Sequence, residues 1–340
     1  MGHFNTSHMQ TKRKRLGIAI LLLCTVFLAV EIFGAGLDTA MRQSLRARIQ
    51  SAFPEQALQY HQTMGLSKFY EQHLQRTKKR RKAPPVILVH GLDEPGKVWM
   101  NLAPALYQAG YDVWIMEYPN DQPVTQSSQL FLKELQQLAR EEIAEISIIA
   151  HSMGGLVTRE LLTNPDLGYS ELSHVHRVPK VTTFIMVGTP NHGSQMVRFR
   201  VFLELRDQFS RCIAGQCGVL NGIFDGAGEA KADLLPESDF LEALNKRPLP
   251  RDIDMLTIAG RAVPWSTDNT AMGNTALQHY GKNIAAKIGD GAVTAASSRL
   301  PGISHVTVPG THLSIIRNIT RRSTRIPPAI PIILQRLATP

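Results

Sequence analysis

Residues 146–155, ISIIAHSMGG, decide the fold of this 340-residue chain. The apolar run is typical of a buried strand, and residues 156–162 after it have the pattern of a helix. A serine on such a tight turn is held above the end of a sheet, where a substrate can reach it, and its neighbours must be small. Ala150 stands where the pattern G-x-S-x-G has its first glycine. The alternative interpretation is an ordinary helix N-terminus with a chance serine.

Strand and helix patterns alternate on both sides of this stretch. Strands are predicted at residues 86–89, 112–116, 146–150, 181–187, 255–259 and 306–308, with helices at 97–109 and 127–142. The alternation predicts an α/β fold with a mostly parallel sheet covered by helices on both faces. Loops that follow parallel strands meet at the carboxyl edge of the sheet. The serine turn and the loops with His90, Gly188 and His312 are therefore expected to lie together.

Later loops supply the groups that a nucleophilic serine needs. A histidine must accept the hydroxyl proton, and a carboxylate must orient that histidine. His312 follows the last predicted strand, and Asp290 lies in a turn between two glycines. Asp268 is the rival carboxylate, and His305, at the start of the last strand, is the rival base. His151 is expected to pack behind the serine.

Two backbone amides are expected to bind the negative oxygen that develops when a serine attacks an acyl carbon. One belongs to Met153, directly after Ser152, and the other to Leu92, which Gly91 allows to turn inward. The predicted wall of the substrate site consists of His90, Gly91, Thr189 and His192. For residues 188–194, the alternative to contact with substrate is a purely structural turn. No spacing resembles a zinc or calcium site, so neither a metal nor another cofactor is expected.

The N-terminal part indicates a membrane or export signal. Basic residues 12–15 precede residues 16–37, which are apolar apart from Glu31 and long enough to span a bilayer. We interpret residues 1–37 as an uncleaved signal anchor, with a cleaved signal peptide as the alternative. Residues 38–82 are expected to form a helical, basic linker and residues 83–340 one catalytic domain, either membrane-anchored outside the cytoplasm or secreted.

The formal net charge is +9, but it does not indicate nucleic-acid binding. The basic clusters at residues 12–15 and 76–82 together exceed this excess, so the rest of the chain is close to neutral. The second cluster is either a solvated linker or a contact with an anionic membrane. Cys212 and Cys217 either form a local disulfide or remain free thiols. The apolar insertion at residues 194–250 is a lid, an acyl-chain wall or a plain packing helix.

Four blocks together resemble the lipase and serine-esterase branch of the α/β-hydrolase superfamily: residues 89–92, 150–155, 188–194, and 290–293 with 310–312. The resemblance implies an α/β-hydrolase fold with a lid-like insertion and cleavage of acyl esters or lipids. It implies Ser152 as nucleophile, Asp290 as orienting acid and His312 as base. The stretch 261–289 is longer than usual before the acid. An acyltransferase with the same acyl-enzyme and a non-catalytic scaffold protein are the alternatives.

Overall fold

The computed structural model describes residues 63–69, 82–92, 96–119, 122–194, 229–262, 289–320 and 322–339, together with Arg48 and Ser51. The strands within these ranges are β1 (Gly65–Lys68), β2 (Val86–Val89), β3 (Val113–Glu117), β4 (Glu145–His151), β5 (Lys180–Val187), β6 (Asp254–Arg261) and β7 (Ser304–Pro309). They form a 7-stranded sheet in the order β1-β3-β2-β4-β5-β6-β7. β1 is antiparallel to β3, and the other pairs are parallel.

Helices cover both faces of the sheet. They are α1 (Leu102–Gln108), α2 (Val124–Arg140), α3 (Met153–Thr163), α4 (Tyr169–His174), α5 (Glu229–Asp233), α6 (Asp239–Lys246), α7 (Ala295–Ser298) and α8 (Ala329–Ala338), with single 3-10 turns at Lys97–Trp99 and Pro165–Leu167. On one face Ile87 packs with residues of α2 and α3, and on the other face Leu88 packs with residues of α1 and α8. Because both faces are buried, the central strands read as continuous apolar runs.

The predicted α/β fold is confirmed, and the strands β2 to β7 coincide with the predicted ones to within a few residues. The helix boundaries differ more. The helix expected at residues 97–109 begins as a 3-10 turn and becomes α-helical only at Leu102. Helix α2 begins at Val124, directly after Pro123, earlier than expected. Proline has a fixed φ that suits the start of a helix, which explains this earlier boundary.

Strand β1 was not predicted. It lies within residues 38–82, for which we expected a helical linker, and that expectation is wrong for Gly65–Lys68. The strand pairs with β3, and the Leu66 N–H donates to Glu134 Oε2 of α2 at 3.0 Å. Four residues are too few for a hydrophobic period to distinguish a strand from a helix.

The N-terminal segment over residues 1–37 lies outside the described residues, so its prediction as an anchor or signal peptide stays a prediction. Among the residues that the structure describes, no helix is both long enough and apolar enough to cross a bilayer.

Candidate active site

Ser152 lies on a strained turn between β4 and α3. Its φ of 54° and ψ of −128° are rare for a residue with a side chain. The Ser152 N–H donates to the carbonyl oxygen of Val187, at the end of β5, over 2.9 Å. This bond ties the turn to the neighbouring strand. The strain is retained because it lifts the serine to the carboxyl edge of the sheet, where strained residues often serve a function.

Close approach of the backbone explains the small residues around the serine. A Cβ atom at Gly154 would lie 2.3 Å from the carbonyl oxygen of Val89, and one at Gly91 would lie 2.5 Å from Ser152 Cβ. The loop after β2 is therefore pressed against the serine turn. Ala150 is fully buried within β4, so a methyl group is tolerated where the common pattern has glycine.

His312 and Asp290 form a buried pair at the same edge. The His312 Nδ1–H donates to Asp290 Oδ2 at 2.8 Å, and the His312 N–H donates to the Asp290 carbonyl at 2.9 Å. Asp290 Oδ1 accepts the N–H groups of Ala292 and Val293 at 2.8 and 2.7 Å. A carboxylate only accepts hydrogen bonds, so Nδ1 of His312 carries the proton and Nε2 keeps the lone pair that a base needs.

One dipeptide at the end of β5 contacts both the serine turn and the His312–Asp290 pair. Val187 accepts the Ser152 N–H, as described above, and Gly188 follows with a φ of 62°. A Cβ atom at Gly188 would lie 3.0 Å from His312 Cε1 and 3.5 Å from Asp290 Oδ2. The structure thus places Ser152, His312 and Asp290 around Val187 and Gly188.

His151 connects the two halves of the site. Its imidazole is buried 4.7 Å from the ring of His312, measured between centroids. The His151 Nε2–H donates to the carbonyl oxygen of His312 at 3.1 Å. His151 therefore packs behind the site, as we expected, and it also holds the backbone that carries the neighbouring imidazole.

The side chain of His90 is buried beneath the loop that follows β2. Its side chain is fully buried, its Nδ1–H donates to the Gly91 carbonyl at 2.8 Å, and its Nε2 lies 3.3 Å from Glu117 Oε2. The Tyr118 hydroxyl donates to the His90 carbonyl at 2.5 Å, and the two rings stack at 4.3 Å. The His90 side chain thus faces its own loop, Glu117 and Tyr118, and contact of His90 or Gly91 with a substrate stays a prediction.

Glu117 and Tyr118 were missed by sequence reasoning. Burial raises the pKa of Glu117 to about 7, so this carboxyl group holds a proton in neutral solution far more often than an exposed glutamate does. The position of Glu117 could have indicated its place near the site. Glu117 is the last residue of β3, and the carboxyl ends of parallel strands line the edge where the site lies.

The loop over residues 188–194 is held by a buried network that was also missed. Arg159 of α3 donates to Asn191 Oδ1 at 3.1 Å and to Asn245 Oδ1 of α6 at 3.0 Å. Burial lowers the pKa of Arg159 to about 10. Asn191 in turn donates to the Ser298 carbonyl at 2.8 Å. The network fixes this loop against α3, α6 and α7.

The remaining predicted residues occupy different positions. Thr189 is buried, and a Cβ atom at Gly155 would lie 2.1 Å from its Oγ1. His192 is exposed, and its Nε2–H donates to the Arg299 carbonyl at 3.0 Å. Leu92 and Met153 are buried on either side of the serine turn. The role of their amides, and contact of Thr189 or His192 with a substrate, stay predictions.

His305, the rival base of the sequence analysis, is not part of the His312–Asp290 pair. The His305 Nδ1 forms a hydrogen bond with the Thr257 hydroxyl at 2.7 Å, and burial lowers the pKa of His305. Asp268, Cys212 and Cys217 lie outside the described residues, as does the part of the predicted lid over residues 195–228. Within the described part of the chain, no group of three His, Cys, Asp or Glu side chains is arranged to hold a metal ion.

Comparison with known proteins gives the family and the fold of the chain. The model of the family Lipase (class 2) matches residues 83–293, more than half of the chain. The mature lipase of Bacillus licheniformis superimposes with a TM-score of 0.52 at 19% identity, covering 80% of this chain and 97% of that chain. Lipase 1 from Pelosinus fermentans gives a TM-score of 0.52 at 14% identity, covering 76% of this chain and 100% of that chain.

At such identities the two structures show the fold alone, and the family model carries the assignment. No curated protein matches the chain by sequence. The chain belongs to the class 2 lipase family and is an ester hydrolase of the lipase or esterase type.

Proposed function

We propose that Ser152, His312 and Asp290 form a catalytic triad that cleaves acyl esters through an acyl-enzyme. The observation that carries this proposal is the 2.8 Å bond from His312 Nδ1 to Asp290 Oδ2. This bond lies beside Val187 and Gly188, the dipeptide at the end of β5 that also holds the strained serine turn. It orients the imidazole so that Nε2 is available to accept the serine proton.

The chemistry follows from these positions. The Ser152 hydroxyl attacks the acyl carbon while His312 Nε2 accepts its proton, and the amides of Leu92 and Met153 bind the oxygen that becomes negative. His312 then protonates the departing alcohol, which leaves an acyl group on Ser152. A water molecule, deprotonated by His312, attacks that acyl group and releases the acid. Asp290 stabilises the imidazolium in both steps.

The proposed substrates are lipids or other acyl esters, and the proposed location is outside the cytoplasm. The apolar residues 16–37 would either anchor the chain in a membrane or be removed on export. The family membership supports an ester substrate, and the apolar residues of the 194–250 insertion suit an acyl chain.

Substitution of the serine tests the triad. We expect Ser152→Ala to lower the turnover of a p-nitrophenyl ester by about 10⁴-fold or more, and to abolish labelling by a fluorophosphonate probe. Ser170→Ala removes an exposed hydroxyl from α4 and should change neither measurement. Retention of full esterase activity by the Ser152 variant would refute the proposal.

A further inference from the structure

Two large apolar side chains are exposed in one loop that follows His312. Among the described residues, the exposed large hydrophobics are Ile319 at 93%, Ile326 at 68% and Val175 at 62%. The two isoleucines lie in one loop after His312, over residues 317–320 and 322–328, which we call the arginine loop. Single exposed apolar residues are common, whereas two in one short loop are a candidate contact surface.

The arginine loop is closed by its own hydrogen bonds. Buried Asn318 donates through Nδ2 to the carbonyl oxygen of Arg325 at 2.6 Å and to that of Ser323 at 3.4 Å. Its Oδ1 accepts from Arg325 Nε at 3.2 Å, and Arg325 Nη2 donates to the carbonyl oxygen of Ser314. The loop therefore has a defined shape, and this shape keeps both isoleucines in solvent.

The arginine loop lies at the same edge of the sheet as Ser152. It follows β7 and the His312 turn, and the Asn318 N–H donates to Asn101 Oδ1 at 2.7 Å. Asn101 is the N-cap of α1, which follows β2, so it lies at the carboxyl edge of the parallel sheet. By contrast, Val175 directly follows α4 and precedes the start of β5, at the opposite edge.

The charged side chains of the arginine loop itself all have one sign. The sequence contains no aspartate or glutamate after Asp290, while Arg317, Arg321, Arg322 and Arg325 fall within nine positions. Arg322 and Arg325 are exposed beside the isoleucines. Branched apolar side chains flanked by arginines suit the boundary between acyl chains and anionic headgroups.

We propose that the arginine loop docks onto an anionic lipid surface. Ile319 and Ile326 insert among the acyl chains, and Arg322 and Arg325 attract the headgroup phosphates. The carboxyl edge of the sheet, with Ser152, then faces the lipid. The benefit for catalysis rests on the proposed function, whereas the docking itself does not.

Tryptophan fluorescence tests the insertion directly in the full chain. Ile319→Trp and Val175→Trp variants are bound to vesicles of phosphatidylcholine and phosphatidylglycerol with brominated acyl chains, and binding is confirmed by co-sedimentation. We expect the bromines to quench the tryptophan at position 319 and to leave that at position 175 unquenched. Both chains share the N-terminal apolar segment, so anchoring is the same in the two. Equal quenching, or no binding to the vesicles, overturns the proposal.

Charge substitution tests the lipid class. Arg322→Gln should weaken quenching at position 319 on phosphatidylglycerol vesicles. At low salt we expect the equilibrium constant for loop insertion to fall about fivefold, because one arginine near an anionic surface contributes about that factor. On pure phosphatidylcholine the variant should match the parent chain. Arg251→Gln, before β6 at the opposite edge, is the matched control and should have no effect. An equal effect of both substitutions refutes the anionic headgroup as partner.

Catalysis separates this proposal from the triad. The double variant Ile319→Ser with Ile326→Ser should hydrolyse an ester embedded in anionic vesicles about tenfold more slowly, since two apolar side chains lose their insertion, yet hydrolyse a soluble short ester at the parent rate. Val175→Ser should alter neither rate. Loss of both rates in the double variant would refute docking. Failure of the Ser152 test would leave the quenching result unchanged, so the two proposals fail separately.

Discussion

At the scale of single residues, His90 and Glu117 form an unusual pair, since the imidazole is fully buried and the carboxyl group is half-buried. The His90 Nδ1–H is committed to the Gly91 carbonyl, and Nε2 receives the Tyr118 N–H at 3.4 Å while it faces Glu117 Oε2. A carboxylate would oppose the lone pair on Nε2. We therefore expect a protonated Glu117 to donate to Nε2, which agrees with the raised pKa of this half-buried carboxyl group. On this interpretation, the proton of Glu117 supports the loop that carries Gly91 and Leu92.

This arrangement predicts a pH-dependent stability that Glu117→Gln removes. The pKa of Glu117 is about 7 in the folded chain against an ordinary 4.5, so the folded state holds more protons between these values. Its contribution to the free energy of unfolding therefore falls as pH rises through this window, by at most about 3 kcal/mol. The glutamine amide donates to His90 at every pH. As pH rises through this window, the Glu117→Gln variant should therefore gain stability relative to the parent. Denaturant unfolding of both chains at several pH values measures this change.

A matched substitution controls for general charge effects. Glu242→Gln removes an exposed carboxylate from α6 and should leave the pH dependence of the parent unchanged. A constant stability difference between parent and Glu117→Gln across the window would contradict the shared proton.

The same residues show what sequence reasoning reaches and where it stops. Ser152, Asp290 and His312 were predicted because each follows a strand of a parallel sheet, and the structure brings them to one edge. His90 was expected to touch substrate because its loop is adjacent to Ser152. The structure shows its side chain against Glu117 and Tyr118, partners that a linear pattern does not reveal, and the substrate contact stays a prediction.

At the scale of elements, α2 depends on a residue that lies far along the chain. Pro123 at its N-cap supplies no side-chain acceptor, and the Val124 N–H donates to Asp233 Oδ2 of α5 at 2.9 Å. Burial, together with the charge of Glu160, raises the pKa of Asp233 to about 6. Sequence reasoning placed α2 by its apolar stripe, but a cap supplied from another element has no local signal.

We expect Asp233→Ala to lower the free energy of unfolding by about 1 to 2 kcal/mol, because the first turn of α2 loses its acceptor. Asp233→Asn keeps an oxygen acceptor and removes a charge that burial and Glu160 disfavour. This variant should therefore be as stable as the parent, or more stable, at a pH above the raised pKa of about 6. Urea unfolding of the three chains measures both effects. If the alanine and asparagine variants were equally destabilised, the charge of Asp233 rather than its acceptor would be what α2 needs.

At the scale of the whole molecule, the sheet extends beyond the part that the class 2 lipase model matches. The match to the class 2 lipase model begins at residue 83, and our predicted catalytic domain began there too. β1 lies before that point and forms the edge of the sheet. In its pairing with β3, Gly65 lies opposite Glu117. The central strands were predictable because both of their faces are buried. An edge strand of four residues gains its structure from a partner that is distant in sequence.

If β1 belongs to the catalytic domain, then breaking its pairing should destabilise the whole domain. The Phe69 N–H donates to the Val113 carbonyl at 2.8 Å, and N–H groups alternate along a strand, so that of Ser67 also faces β3. We expect Ser67→Pro to remove this bond and cost about 1 to 3 kcal/mol, seen as a lower midpoint of thermal unfolding. Ser67→Ala keeps the N–H and loses only an exposed hydroxyl, so its midpoint should equal that of the parent. Identical midpoints in all three chains would place the start of the domain at residue 83, whereas a loss confined to the proline variant moves that start to β1.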